Sequence, residues 1–296
     1  DKFVLKRAKV NTGNAFAAQL LGYREKETEA SYLKQYINCV VNGRIYCSFN
    51  ITGTRTGRLS SSGPNLQNVK GSLRAPFVVA ESSAYSVYTV DSSQIEPRVI
   101  AYLTGDKEMV YLFQEGRDYH NYATKKFFPN ETRDTIEADI KKAHPHLRKT
   151  AKIGDLSVIY GTGKHTFQTM CLVREEMAIP LERCEEMVQS FRAGMRGPMN
   201  WKKDLEEKYK AGVPVFDLFG YLVQARDMQS IHMTLFNTYV HGMASRMIFH
   251  GSLKAYREFQ ARSIDAKPLL WVHDEVVWRF PKGKEEFCKK VVDTYM

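Results

Sequence analysis

The segment Lys267–Phe280, KPLLWVHDEVVWRF, decides the fold predicted for this chain. Two apolar runs, Lys267–Val272 and Val276–Phe280, lie on either side of His273-Asp274-Glu275. Apolar runs rich in β-branched and aromatic residues, separated by a short polar turn, predict an antiparallel hairpin. We therefore expect a β-hairpin with acidic side chains at its turn.

A second run with strand composition, Ser86–Asp91, also ends in an acid. Asp91 and Asp274 are 183 residues apart, and they are the two acids placed at predicted strand ends. Carboxylates at the ends of adjacent strands can hold Mg²⁺, because this ion takes hard oxygen ligands and keeps positions for water and phosphate. Acids near turns are more often simply solvated, so the pair alone leaves both interpretations open.

The chain between these two acids is predicted to be mainly helical. The predicted helices there are Asp118–Phe128, Thr132–Ala143, Pro145–Tyr160, Pro180–Ala193 and Pro198–Lys210, and proline at three of these starts suits the first helical position. Further helices are expected at Ala17–Ile37 and Ser230–Phe259, and further strands at Arg44–Asn50 and Phe77–Val79. Strands on both sides of a large helical insertion indicate an α+β fold with a second subdomain.

Two other segments carry polar groups that can bind a ligand. Residues 54–68 form a long polar loop, and loops of this length usually have a function, although the same residues can simply close turns. Arg148, Lys152, Leu156 and Tyr160 recur every four residues and share one helix face. That face can hold a triphosphate at one end and a base at the other, or it can be an ordinary amphipathic surface with a basic rim.

Composition limits the class of protein. The 296 residues are 43% hydrophobic and 26% charged, which is typical of a globular chain, and the net charge of +10 favours a polyanionic partner. The five cysteines include no C-x-x-C pair, so we expect reduced thiols.

The sequence has no long apolar span and no leader, from which we predict a soluble, cytoplasmic protein without membrane contact. It begins without Met and ends inside a predicted helix, so a piece of a longer protein is expected.

Taken together, the motifs resemble family A DNA polymerases. The resemblance rests on TRTGRLSS (54–61) with PNLQN (64–68), DSSQIEPR (91–98), RKTAK (148–152) with YG (160–161), and VHDE (272–275), in that order. It implies an antiparallel-sheet palm with a large helical fingers insertion and a truncated thumb. The implied domains are a thumb remnant at 1–40, palm at 41–105, fingers at 106–222 and palm again at 223–296.

The resemblance also implies a catalytic centre for template-directed DNA synthesis with release of pyrophosphate. Asp91, Asp274 and the backbone carbonyl of Ser92 would hold two Mg²⁺ ions, which activate the primer 3′-hydroxyl and stabilise the leaving pyrophosphate. Glu275 would contribute weakly, and Lys152 would protonate the pyrophosphate. Glu96 would act as a steric gate against the ribose 2′-hydroxyl. The Arg148/Lys152 face is expected to lie opposite the two aspartates across a cleft.

The implied ligands are dNTPs and primer-template DNA, with a processivity factor or another replisome protein as a further candidate partner. The implied nucleotide-binding residues are Arg148, Lys152, His120, Leu156, Tyr160, Glu96 and Gln94. The implied DNA-binding residues are Arg58, Asn65, Gln67, Asn68, Asn237, His241 and His273. Donors among them would test minor-groove geometry without reading sequence, since purine N3 and pyrimidine O2 lie at similar places in every base pair.

Several positions depart from the family pattern. Ser92 and Leu156 stand where aromatic residues are usual, Pro97 replaces an aliphatic residue, His241 replaces a glutamine and Met233 an arginine. These departures point to a phage enzyme acting in a bacterial host. Two alternatives remain open: a single-subunit RNA polymerase, against which Glu96 argues, and a DNA-binding accessory subunit without catalysis, against which the retained charged residues argue.

Overall fold

The computed structural model describes residues 1–51, 53–69, 73, 77 and 82–296. Its helices are α1 Lys2–Thr12, α2 Ala15–Asn38, α3 Ile95–Thr104, α4 Lys107–Gln114, α5 Tyr119–Phe127, α6 Ile140–Ala143, α7 Pro145–Ile159, α8 Lys164–Glu175, α9 Leu181–Gly194, α10 Arg196–Lys210, α11 Ile231–Ala261 and α12 Glu285–Tyr295. Its strands are β1 Val40–Val41, β2 Arg44–Ile45, β3 Ser48–Asn50, β4 Ser60–Ser62, β5 Tyr85–Asp91, β6 Lys267–Val272 and β7 Glu275–Pro281. The fold is therefore α+β, as predicted.

The predicted hairpin is present and forms most of the main sheet. Strands β5, β7 and β6 lie side by side in that order, all antiparallel. The turn between β6 and β7 is only His273-Asp274, because Glu275 already belongs to β7 and pairs with Asp91 of β5. Two small two-stranded sheets, β1 with β2 and β3 with β4, complete the strand content of the described residues.

Alternation along β7 builds the core on one face of this sheet. Val276, Trp278 and Phe280 are buried, whereas the residues between them are partly exposed. Successive side chains of a strand point to opposite faces, so these three project to the same side. They pack with Phe259 of α11 and Val292 of α12. The hydrophobic cluster fixes the sheet whose end carries Asp91 and the turn with Asp274.

Some predicted elements differ from the structure. Arg44–Asn50 is not one strand, because β2 and β3 are separated by Tyr46-Cys47. Most of the predicted helix Thr132–Ala143 is turn and 3₁₀ structure, and only α6 is α-helical. The Thr132 hydroxyl donates to the carbonyl of Phe128, and local bonds of this kind compete with helix formation. Lys125 of α5 donates to the carbonyl of Thr135 and so ties this segment to α5.

Other helix ends also needed the structure. Pro145 is the first residue of α7 as predicted, but Pro180 caps α9 and Pro198 lies inside the first turn of α10. The predicted strand Phe77–Val79 falls largely outside the described residues, and Phe77 itself is in no element.

All five cysteines are free thiols, which confirms the prediction of reduced thiols. Burial raises the pKa of Cys171 to about 12.

The described residues divide into two compact units. One contains residues 1–26, 96–215 and 224–237, and the other contains 27–95, 216–223 and 238–296. The first is centred on helices α5, α7, α8 and α9, where the rings of Phe127 and Phe191 stack 4.4 Å apart. The second contains the three-stranded sheet. No helix among the described residues is both long and apolar enough to cross a membrane.

Candidate active site

The two aspartates that motivated the prediction lie together at one end of the main sheet. Asp91 ends β5 directly opposite Glu275, and Asp274 immediately precedes Glu275 in the hairpin turn. The backbone N–H of Ser92 donates to the carbonyl of Asp274 at 3.1 Å, which ties the two segments beyond the last ladder pair. Asp91 is exposed and Asp274 is half-buried, so both carboxylates can meet a ligand from solvent.

Two residues near this pair have positive φ, the left-handed region that residues other than glycine rarely adopt. His273, immediately before Asp274, has φ of 55°, and Gln94, three residues after Asp91, has φ of 56°. A two-residue antiparallel hairpin requires positive φ in its turn, which accounts for His273. Non-glycine residues held in this region concentrate at functional sites. The hairpin turn thus explains the backbone of His273, and the positive φ of Gln94 is the observation that draws attention to this sheet end.

The aspartates suit Mg²⁺ by their chemistry. Asp91, Asp274 and the carbonyl of Ser92 are hard oxygen donors at one sheet end. No group of three or more His, Cys, Asp or Glu arranged to hold a metal ion occurs among the described residues. Mg²⁺ in phosphoryl-transfer sites is usually held by one or two carboxylates plus substrate phosphates, so a two-aspartate set fits the ion.

A groove in the same unit is lined by most of the predicted DNA-binding residues. It has a volume of about 260 Å³ and is lined by side chains that include Arg58, Asn65, Gln67, Asn68 and His273. Its lining also includes residues of β4, β6 and α11. Residues separated by about 200 positions in the sequence thus line one groove, in which hydrogen-bonding side chains lie among apolar ones such as Ile248 and Phe249.

Two of these groove residues also have structural roles. Asn65 accepts the N–H of Gln67 at 3.0 Å and caps a short 3₁₀ helix, Leu66–Asn68. The amide of Gln67 donates to the carbonyl of Trp271 at 2.9 Å, which joins the loop to β6. Both interpretations of this loop therefore describe part of it: these side chains close turns and also line the groove.

The helix face predicted to bind a triphosphate lies in the other unit, on α7. Arg148 is part-buried, and its guanidinium donates to the carboxylate of Asp118 and to the side chain of Asn121, each at 2.7 Å. Burial would raise the pKa of Asp118, but hydrogen bonds from the Asn121 N–H and from Arg148 hold it below its usual value. Lys152, one turn further along α7, is exposed.

The predicted phosphate-binding histidine is part of a buried pair. Nδ1 of His120 lies 2.7 Å from Oδ2 of Asp155 on α7, and the residues are 6% and 0% exposed. Complete burial raises the pKa of Asp155, against the opposing effect of its hydrogen bond to His120. The carboxylate fixes the orientation of the imidazole, because it occupies one of the two ring nitrogens.

The end of α7 connects to the predicted steric gate. The hydroxyl of Tyr160 donates to Oε2 of Glu96 at 2.8 Å, and Glu96 is 9% exposed. Buried Lys202 donates to the carbonyl of Ile159 at 3.2 Å, and burial lowers its pKa to about 8. Arg192 donates to the carbonyl of Thr162 at 3.0 Å. Two cations therefore bind the backbone on either side of Tyr160-Gly161.

The remaining predicted residues are accessible to different degrees. Leu156 on α7 and His241 on α11 are half-buried. Asn237, also on α11, carries a buried Oδ1 without a hydrogen-bond partner among the described residues. Buried amide oxygens normally accept a hydrogen bond. The unpaired Oδ1 of Asn237 is therefore able to accept one from a ligand.

Sequence analysis missed the groups that orient the predicted ligand-binding side chains. Asp118 and Asn121 hold Arg148, Asp155 holds His120, and Lys202 holds the end of α7. One signal was available for Asp155. It shares α7 with the buried residues Ala151 and Val158, and an acid on a buried helix face requires a partner.

Comparison with known proteins gives a consistent assignment. The model of DNA polymerase family A matches residues 1–296. The chain is 30% identical to the thermostable DNA polymerase I of Thermus aquaticus over 94% of its own length and 33% of that protein. It is 28% identical to DNA polymerase I of Aquifex aeolicus over 94% of its length and 46% of that protein. The chain thus spans about a third to a half of these relatives.

A solved structure shows the same fold. The POL domain of Pol1 from M. smegmatis, determined in complex with DNA primer-template and dNTP, aligns with a TM-score of 0.85 and 23% identity. The alignment covers 100% of this chain and 52% of that one. Together with the family model, which matches from the first residue to the last, this similarity confirms the predicted resemblance. The chain belongs to DNA polymerase family A.

Proposed function

We propose that this chain carries the site of a template-directed DNA polymerase, which adds deoxynucleotides to a primer 3′-hydroxyl and releases pyrophosphate. The observation that carries the proposal is the placement of Asp91 and Asp274 at one sheet end, with Ser92 bonded to Asp274. Family membership and the polymerase activity named for the relatives support it. Residues 41–105 and 223–296 would be palm, residues 106–222, which include α4 to α10, would be fingers, and residues 1–40 would be a thumb remnant.

Asp91, Asp274 and the carbonyl of Ser92 would hold two Mg²⁺ ions, with Glu275 nearby. When bound, these ions lower the pKa of the attacking hydroxyl and neutralise charge on the departing pyrophosphate. The protein's own contribution is to keep two carboxylates at a fixed separation on a sheet whose opposite face is buried. Preorganised charges of this kind need no rearrangement during the reaction.

Arg148, Lys152 and His120 would bind the triphosphate. Arg148 already contacts a carboxylate, Asp118, through a geometry that a phosphate oxygen can also occupy. The incoming triphosphate would thus compete with Asp118 for the guanidinium. Lys152 is exposed and would protonate the leaving pyrophosphate.

Tyr160, Leu156 and Gln94 would contact the base and sugar, next to Glu96. The hydrogen bond from Tyr160 holds the Glu96 carboxylate in one position, so that it excludes a ribose 2′-hydroxyl. Leu156 supplies an apolar contact to the base but lacks the stacking contribution of an aromatic ring, about 1 kcal/mol.

The groove lined by Arg58, Asn65, Gln67, Asn68 and His273 would hold the primer-template duplex. Asn237 and His241, both on α11, would also contact the duplex. The excess of basic residues supports binding of a polyanion, which would weaken as salt rises.

Primer extension with Mg²⁺ tests the function directly. We expect the wild-type protein to extend a primer with dNTPs and to reject ATP in favour of dATP. Asp91→Asn and Asp274→Asn should abolish extension while duplex binding, measured by fluorescence anisotropy, is retained. Asp204→Asn, a change at an exposed acid of α10, is the matched control and should extend normally. Extension by either active-site variant, or duplex binding without wild-type extension, would contradict the proposal.

A further inference from the structure

A buried ion pair that the proposed chemistry does not use lies in the unit that contains the main sheet. Nη1 of Arg246 on α11 is 2.5 Å from Oδ2 of Asp217, and the side chains are 14% and 0% exposed. Removing one member of a buried pair leaves the other charge without compensation, so a substitution of either residue is costly. The pair joins α11 to the segment around Asp217.

Asp217 organises a tight hairpin around itself. Its Oδ1 accepts the backbone N–H groups of Phe219 at 2.9 Å and Tyr221 at 3.0 Å, and its own N–H donates to the carbonyl of Tyr221 at 2.9 Å. The guanidinium of Arg246 lies over the Tyr221 ring, 4.2 Å from its centroid. The guanidinium therefore contacts this hairpin at one edge, through an ion pair without a hydrogen bond, and at one face, through the Tyr221 ring.

The guanidinium also contacts the loop that carries Arg58. A Cβ added at Gly57 would lie 2.8 Å from Nη2 of Arg246. A Cβ added at Gly242 would overlap Nη1 and would lie 2.7 Å from the carbonyl oxygen of Thr56. Two positions without a side chain thus allow the guanidinium to lie between α11 and the loop.

Gly57 is the residue before Arg58, and the turn around it is closed. Its N–H donates to the carbonyl of Thr54 at 3.2 Å, and the Thr54 hydroxyl donates to the carbonyl of Arg58 at 2.7 Å. Gly57 has φ of 75°, a conformation in which glycine carries little strain. A displacement of the turn at Gly57 would therefore move Arg58 with it.

We propose that Arg246 is a positioning residue that sets the placement of Arg58 and, through it, the discrimination between matched and mismatched primer ends. The inference rests on the proposed function, in which Arg58 contacts the duplex. Arg246 is suited to this role because its guanidinium is planar and presents donors on more than one edge while its face stacks on Tyr221. Lysine keeps the charge but cannot make these contacts together.

The test compares extension from matched and mismatched primer ends in the purified protein. Arg246→Lys should lower the matched-to-mismatched ratio of kcat/KM by about tenfold, because sub-ångström misplacement of a contacting group costs rate selectively. The same ratio should fall in Arg58→Ala, and adding Arg246→Lys to Arg58→Ala should change it no further. Arg257→Lys, at an exposed position of α11, is the matched control and should leave the ratio unchanged.

The outcomes separate this inference from the proposed function. If the wild-type protein fails to extend primers, the proposed function is wrong. If it extends them but Arg246→Lys keeps the wild-type ratio, or lowers it independently of Arg58→Ala, the positioning role is wrong. A purely structural role would lower the melting temperature and both rates in proportion. Should Arg246→Lys not fold, Tyr221→Leu removes only the ring contact at an exposed residue and must lower the ratio in the same direction.

Discussion

Replacement of Lys202 by methionine should stabilise the protein at neutral pH. Lys202 on α10 is only 5% exposed, and burial lowers its pKa from 10.5 to about 8. Methionine is similar in length, flexible and uncharged, so it can fill the same space. The substitution removes the desolvated charge together with the hydrogen bond from Nζ to the Ile159 carbonyl.

The size of the effect follows from the two pKa values of Lys202. Their difference corresponds to about 3 kcal/mol, at about 1.4 kcal/mol per pH unit. The lost hydrogen bond offsets about 1 kcal/mol. We therefore expect Lys202→Met to raise the free energy of unfolding by about 2 kcal/mol at pH 7.

The stabilising effect of Lys202→Met should depend on pH. Below pH 8 the lysine is charged in both states, and the folded state carries the full desolvation cost. Between about 8 and 10.5 the unfolded chain binds more protons, so the wild-type protein becomes more stable as pH rises. The advantage of the methionine variant should therefore shrink over this range.

Urea unfolding followed by circular dichroism, at pH 7 and at about pH 9.5, measures both effects. Lys203→Met is the matched control, because that side chain is 75% exposed. Its difference from the wild-type protein should be small at both pH values. A Lys202→Met protein that is less stable than wild type at pH 7, or an advantage that does not change with pH, would refute this reasoning.

Three further predictions test other contacts. Tyr160→Phe removes the hydrogen bond that holds Glu96 and should raise ATP incorporation relative to dATP about tenfold in primer extension. An unchanged ratio of ATP to dATP incorporation would show that this hydrogen bond does not position a steric gate. Gly154→Ala places a methyl group 2.6 Å from Phe167 and should cost about 1–3 kcal/mol in urea unfolding, whereas Gly163→Ala, with open space around it, should not. Asp118→Asn should cost about 1–2 kcal/mol of unfolding free energy at pH 7. Because the pKa of Asp118 is lowered in the folded protein, its contribution is fully present above the unfolded value of 3.8 and is lost as pH falls from there through the lower folded pKa. A difference from wild type that persists in acid below the folded pKa would contradict the ion pair with Arg148.

Local patterns in the sequence determined the elements that carry the site. The apolar runs on each side of His273-Asp274 were sufficient to predict the hairpin. Buried and partly exposed side chains alternate along β7, as expected for a strand with one face against the core. The four-residue spacing of Arg148, Lys152, Leu156 and Tyr160 likewise predicted one helix. The first three residues lie on α7, and Tyr160 is its C-cap. The segment at Thr132 was predicted wrongly, because side-chain to backbone bonds override helical periodicity there.

The tertiary structure alone decided which distant residues meet. The pairing of Asp91 with Glu275 follows from strand order and register, and neither motif contains that information. The partners of Arg148, His120 and Arg246, as well as the burial of Lys202, also depend on contacts between separate elements. Periodicity is a property of neighbouring residues, whereas a charge pair is selected by the packing of whole elements and by the cost of leaving a buried charge uncompensated.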